Sequence, residues 1–499
     1  MTLARRAGVD SAARQAACGA LMAQLAPGAP LAQAPHPGLQ QVRVVWADLH
    51  GTLRGKTLVL GDDGAALQSA LSDGVGMVST MFLKDTSDRT AFKVFEPGAL
   101  SAGAGFGPAN NALLLPDPTS LRVLPWASDT AWLRADALWA DGSPVLADPR
   151  QVLLRALDLL KQAGYGLQCG LEVEFHIFRI TDDGLAAEQA AWPAEPPSVR
   201  LVHPGYQLLG DAWADLAHEP LAIVRRTALG LGLPLRTLEI ELGPSQFEAV
   251  FAPTDALTAA DQMVLFRNGV RQALRRAGYH ASFVCKPPLP HAVASGWHLH
   301  QSLLDSAGHN AMQRQASAGA ADDARQVLSD TGAHWLAGLL HHASGMAALC
   351  APTIPAYERF QGGVMAPPAA HWGRDNRGAL LRVLGAPQDP ATRIENRLGE
   401  PMANPYLMIA AQIWAGLDGL QRKLDPGPAT QAPYASAAPA LPGGLLQALD
   451  ALAANPVLQQ GLGPVLAGVF DTVKRQELAR FAAAKDPLQW QRCEYFARF

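Results

Sequence analysis

Five segments of this 499-residue chain alternate ionisable or polar side chains with large apolar ones. They are Leu171-Glu172-Val173-Glu174-Phe175, Leu238-Glu239-Ile240-Glu241, Gln246-Phe247-Glu248, Trp297-His298-Leu299-His300-Gln301-Ser302 and Arg393-Ile394-Glu395-Asn396-Arg397. A β-strand sends successive side chains to opposite faces, so each segment has one polar and one apolar face. One such strand is an ordinary half-exposed strand. Five of them, spread from residue 171 to residue 397 and each carrying groups suited to metal or phosphate, point beyond that ordinary reading. If their polar faces converge, several carboxylates crowd one space.

That space is chemically specific. Crowded carboxylates raise one another's pKa unless a cation intervenes. Mostly oxygen donors with a single imidazole favour Mg²⁺ or Mn²⁺ over Zn²⁺, and no cysteine joins the set. Arg359, Arg377, Arg382, Arg393 and Arg397 follow within a short stretch. The planar guanidinium fork suits carboxylates and phosphates. Together these groups point to metal-bridged phosphate chemistry, in which catalysis is positioning and charge neutralisation. Other phosphate motifs are missing. Gly51-Thr52-Leu53-Arg54-Gly55-Lys56-Thr57 is one residue short of a P-loop and leads into a strand, and no dinucleotide-binding or serine-elbow motif is found.

Around this centre the chain divides into an N-terminal extension (1–38), a small domain (39–140) and a large domain (141–499). Within the extension a short helix precedes a Pro/Gly-rich stretch, Pro27 to Gly38. Val42 to Asp48 and Arg54 to Leu60 read as strands about a Leu49-His50-Gly51 turn. Asp148-Pro149-Arg150 opens a helix with leucines at helical spacing. The segments Ala316 to Arg325 and Pro426 to Pro442 read as surface loops. The formal net charge of −4 offers no basic excess for nucleic acid. No apolar run is long enough to span a membrane. The five scattered cysteines fit reduced thiols in a cytoplasmic protein.

In order along the chain, the residues resemble the glutamine synthetase superfamily. The series runs through Gly170 to Phe175, Glu241-Leu242-Gly243-Pro244-Ser245-Gln246-Phe247-Glu248, Lys286-Pro287, Ser295 to Ser302, Tyr357-Glu358-Arg359, Asp375-Asn376-Arg377, Arg393 to Arg397 and Ala403-Asn404-Pro405-Tyr406. The resemblance implies an α+β protein with a small N-terminal β-grasp domain. A large catalytic α/β domain with a mainly antiparallel, curved sheet follows. It also implies a ring-shaped homo-oligomer with active sites between neighbours. By motif, Glu174, Glu241 and Glu248 match ligands of one metal, and Glu172, His298 and Glu395 those of a second, nearer the nucleotide. His300 and Ser302 match nucleotide contacts, and Arg382 and Arg393 positions near the ATP phosphates. Arg359 and Arg397 match glutamate-holding positions, and Arg377 one near the transferred phosphoryl group. The implied reaction activates a carboxylate with ATP as an acyl phosphate, which an amine then displaces.

The departures fall on the acceptor side. Ammonia-using members carry a flap glutamate before an Ala-Pro; here Met365 precedes Ala366-Pro367. The region Gly76-Met77-Val78-Ser79-Thr80 lacks a matching acid, Val293-Ala294 replaces the usual Asn-Gly, and Pro355-Ala356 replaces Asn-Ser. These changes favour a glutamate–amine ligase in the character of the γ-glutamylpolyamine synthetase branch. The alternatives are a true glutamine synthetase and a catalytically silent scaffold. The intact ligand positions oppose the scaffold, and the arginine cluster opposes a metal-storage protein.

Overall fold

The computed structural model describes residues 1–25, 38–61, 63–96, 104–316, 319–361 and 365–499. It contains two sheets. The first is built from β1 (Gln41–Ala47), β2 (Leu53–Val59), β3 (Val75–Val78), β4 (Asn111–Pro116), β5 (Arg122–Leu124) and β6 (Ala127–Leu138), in the order β2-β1-β6-β4-β3 with β5 on β6. β1 and β6 run parallel, and the other pairs are antiparallel. Helix Ala65–Asp73 lies on this sheet, with Leu67 and Leu71 packed in one cluster with Val42 and Leu133. This sheet-and-helix unit is the β-grasp arrangement that the resemblance implies. Leu21, from helix Ala12–Leu25, joins the same cluster. Residues 27–37 of the Pro/Gly-rich stretch lie outside the described residues.

The second sheet has ten strands. They are β7 (Gly166–Asp182), β8 (Ser198–Leu201), β9 (Leu235–Ile240), β10 (Gln246–Phe251), β11 (Thr254–Asp255), β12 (Tyr279–Ser282), β13 (Trp297–Leu304), β14 (Trp372–Arg374), β15 (Leu381–Leu384) and β16 (Arg393–Gly399). The main path is β14-β15-β16-β13-β7-β10-β9, with β8, β11 and β12 also on β7. Among the described residues of this sheet, only the β14–β15 pairing is parallel. The apolar alternates Leu171, Val173, Phe175, Phe247, Trp297, Leu299 and Ile394 are all buried in one core. Helix Pro405–Arg422, buried along most of its length, contributes Ile409 and Ile413 to that core.

The two sheets are clamped at the turn after β1. Asn404 donates to the carbonyls of Asp48 and Leu49 at 3.0 Å each, and Arg267 to that of His50 at 2.9 Å. Gly51 has φ 70°, and a Cβ there would stand 2.0 Å from Arg267 Nη2, so the contact requires glycine. The helix expected from Asp148 spans Pro149–Gln162, and the Asp148 carboxylate accepts the Arg150 N–H at 3.0 Å. Among the described residues, no helix is long and apolar enough to cross a membrane.

Candidate active site

Cross-strand register assembles the polar faces. Glu172 on β7 opposes His298 on β13, and Glu174 opposes Glu248 on β10. Glu248 in turn opposes Glu239 on β9. On the other flank Glu395 opposes His300 and Arg382. Directly opposed residues project from the same face of a sheet, so sequence-distant acids, imidazoles and guanidinium groups meet.

His298 is the hub. Its Nδ1 lies 3.4 Å from Glu172 and 3.9 Å from Glu395, and its Nε2 lies 3.7 Å from Glu174. Around His298, two groupings bring one ligand atom per residue within 4.8 Å of one another: Glu172, His298 and Glu395, and Glu174, Glu248 and His298. The first is the set expected from the resemblance. The second holds two of the three expected acids, but Glu241 stands outside it. β9 ends at Ile240, so Glu241 begins the turn to β10, and its carboxylate accepts the Leu242 N–H at 3.2 Å.

Electrostatics support cation binding. Burial, then repulsion from Glu174, pushes Glu248 up to about 9 and Glu241 up to about 7. Burial also opposes ionisation of Glu172 and Glu395. It is outweighed at Glu172 by hydrogen bonds to His298 and His300, and at Glu395 by the charges of His298 and Arg397. Both carboxyls fall below their ordinary range. Oxygen donors gathered this closely, with one imidazole among them, suit divalent cations.

Arginines close the other side. Arg382 donates to Glu395 at 2.9 Å, and Arg397 pairs with the second Glu395 oxygen. Arg397 also donates to the Met365 carbonyl at 3.1 Å. Arg359 uses Nη1 on the carbonyls of Arg397 and Gly399, and its Nη2 lies 3.4 Å from His298. Arg393 donates to His300 Nδ1 at 3.1 Å, leaving His300 Nε2 2.9 Å from Glu172. Ser302 donates to the Thr392 carbonyl at 3.1 Å.

Two adjoining cavities hold nearly all of these groups. The larger, about 1050 Å³, is lined by Glu172, Glu174, Glu241, Glu248, His298, Arg359, Arg377, Arg382, Arg397 and Met365. The smaller, about 340 Å³, is lined by Glu172, His300, Ser302 and Arg393. Glu395 lines neither and is fully buried beneath its two arginines.

Two further residues shape the site, and their parts were not readable from the motifs that contain them. Gln246 Nε2 lies 3.3 Å from Glu174, 3.2 Å from the Ala294 carbonyl and 3.0 Å from Ser295 Oγ, while its Oε1 accepts the Gly243 N–H at 2.8 Å. Gly296 donates its N–H to Glu174 at 2.9 Å. A Cβ on Gly296 would come within 2.6 Å of Arg359 Nη2 and 2.9 Å of His298 Nε2.

The glutamine synthetase catalytic-domain model matches residues 146–495. The chain is 37% identical over 488 residues to γ-glutamylanilide synthase of an Acinetobacter species, covering 93% of this chain and 94% of the relative. It is 35% identical over 372 residues to the γ-glutamylethanolamide synthetase GlnA4 of Streptomyces coelicolor, covering 74% and 76%. The solved GmaS/ADP complex superposes with a TM-score of 0.72 at 28% identity, covering 92% of this chain and 97% of that one. By the catalytic-domain match over most of its length and by its sequence relatives, the chain belongs to the glutamine synthetase family.

Proposed function

We propose that the protein is an ATP-dependent ligase that joins the γ-carboxylate of glutamate to an amine other than ammonia. The observation that carries this reading is a cavity that gathers acids and arginines beside Met365, which stands where a carboxylate is expected. Methionine neither attracts ammonium nor takes its proton. Two relatives named for different amides, an anilide and an ethanolamide, support a family in which the acceptor varies.

A carboxylate is a poor electrophile, so it must be activated. Its oxygen attacks the γ-phosphorus of ATP, ADP departs, and the acyl phosphate results. The amine nitrogen then attacks the acyl carbon, the C–O bond breaks and phosphate leaves with the electron pair. Glu174, Glu241 and Glu248 on one side, and Glu172, His298 and Glu395 on the other, are the residues that would hold Mg²⁺ or Mn²⁺. Bound there, the cations supply charge neutralisation for phosphate oxygens. His300, Ser302, Arg382 and Arg393 are assigned to the nucleotide. Arg359 and Arg397 are assigned to glutamate, and Arg377 to the transferred phosphoryl group. Positioning by fixed groups of this kind is how phosphoryl transfer is accelerated.

Family membership also supports a cytoplasmic, ring-shaped homo-oligomer with a small N-terminal domain (39–140) and a catalytic domain (141–499). The test of the activity is an amine panel with glutamate and ATP, reading phosphate release and product mass together. Turnover of ammonia alone would restore glutamine synthesis.

A further inference from the structure

The edge strand of the large sheet carries an arginine that strict alternation would turn away from the site. β9 pairs with β10 in regular register from Ile240 opposite Phe247 to Thr237 opposite Val250, and then slips, so that Leu235 opposes Phe251. Arg236 is left over as the extra residue of a β-bulge. In an unbroken strand it would share a face with Leu238 and Ile240, both packed on the core. Bulges re-aim side chains beside active sites. Arg236 is accordingly exposed and lines both cavities of the candidate site.

Its place there is particular. Three residues line both the smaller and the larger cavity: Glu172, Val250 and Arg236. Val250 opposes Glu172 on one side and Thr237 on the other, so these residues form a sill between the two spaces. The smaller cavity holds His300, Ser302 and Arg393, and the larger holds the acids and the remaining arginines. A nucleotide held in the smaller cavity, with its γ-phosphorus delivered to glutamate in the larger, must pass its other phosphates over this sill.

The guanidinium is uncommitted. Arg359, Arg382, Arg393 and Arg397 each donate to a carboxylate, imidazole or carbonyl, and Lys286 pairs with Glu358. Among the described residues lining the two cavities, the cations without such a partner are Arg236 and Arg377, and Arg377 lines the larger cavity alone. Glu172, Glu174, Glu239, Glu241 and Glu248 line the larger cavity with Arg236, yet it pairs with none of them. Glu239 accepts the Thr237 hydroxyl instead, at 2.8 Å. On its other side Arg236 borders a groove against helix His218–Gly230, lined by Leu221, Arg225 and Leu229 and, among the described residues, by no carboxylate. An arginine left unpaired in acidic surroundings keeps its N–H donors for a ligand, and the planar fork suits phosphate oxygens.

We propose that Arg236 binds the phosphates that ADP retains, its fork on oxygens of the α- and β-phosphates where they cross the sill. The assignment rests on the ligase reading above. When the glutamate oxygen takes the γ-phosphoryl group, the bridging P–O bond breaks and its electron pair stays on the β-phosphate. Arg236 neutralises the charge that gathers there, whereas Arg377 is assigned to the group being transferred.

The test is equilibrium binding of ADP with Mg²⁺, and separately of adenosine, to the full chain, comparing wild type with Arg236→Gln and Arg236→Thr. Thermal melting reports the fold, and either folded variant decides. Each should weaken ADP by about tenfold or more, the loss of a charge-assisted hydrogen bond, and leave adenosine within about twofold. Unchanged ADP affinity in a folded variant would overturn the assignment. So would an equal loss for adenosine, which would put the guanidinium on the nucleoside. A change of oligomer mass at constant ADP affinity would also overturn it, by giving Arg236 to a second copy of the chain. A wild-type chain that binds no ADP defeats the ligase reading itself, whereas ADP binding indifferent to Arg236 defeats this assignment alone.

Discussion

Arg397 Nη2 donates to the Met365 carbonyl at 3.1 Å, and its Nη1 pairs with Glu395. One buried guanidinium therefore ties the acceptor flap to a carboxylate of the candidate cation site. Lysine keeps the charge but gathers its donors on one nitrogen, so it loses the spread fork that reaches the two partners from separate nitrogens. Arg397→Lys should lower kcat/KM at least about a hundredfold, by analogy with the loss of one preorganised donor. Glutamate KM should rise with it, while circular dichroism stays unchanged. Retention of wild-type kinetics would deny the tether any role.

Cation binding should stabilise the fold as well as support turnover. A ligand at about 100 times its Kd adds about 2.7 kcal/mol. Mg²⁺ should raise Tm in wild type, and the rise should shrink in Glu174→Ala and Glu395→Ala, both without phosphate release. The Tm readout needs no substrate. Full activity in excess chelator is the result that counts against the site.

Gly296→Ala should be severe for so small a change. The new methyl would press on Arg359 and His298, which sit in buried, closely packed surroundings. Overpacking of this kind costs about 1–3 kcal/mol. Mg²⁺-induced stabilisation should fall in parallel, because His298 belongs to both ligand groupings. A variant with normal Tm and normal Mg²⁺ response would show that the backbone yields.

Acid should destabilise the protein through two buried imidazoles. Burial, then His203, lowers His176 to about 3, and burial, then Arg271, lowers His280 to about 3. The unfolded chain takes up protons near pH 6.5 that the folded chain refuses. Their stabilising contribution is therefore whole above that pH and is lost as pH falls toward 3. The slope is up to about 1.4 kcal/mol per pH unit for each group. Urea denaturation at pH 7 and pH 5 measures it. His176→Gln should flatten the slope, and an identical slope in the variant would refute the assignment.

Much of this was legible because strand alternation is a local property. Glu172 with Glu174, and His298 with His300, share a face whatever the rest of the chain does. Glu241 shows the limit of that reasoning. The alternation of Leu238 to Glu241 predicts a strand through Glu241, but the chain leaves β9 after Ile240 on its way to Ser245, whose φ is 58°. The turn, not the alternation, sets where that carboxylate goes.

The sequence by itself determined the strand faces, the helix cap at Asp148, the inventory of acids and arginines and, through ordered motifs, the family. Only the tertiary structure decided which strands are neighbours, and hence that His298 bridges two acid groupings. It alone brought Leu209, Val293 and Met365 to one wall and bound the Met365 carbonyl to Arg397. The physical reason is range. Side-chain alternation is set by the covalent geometry of adjacent residues, whereas register and loop contacts join residues far apart in the chain and are selected by burial of the whole core.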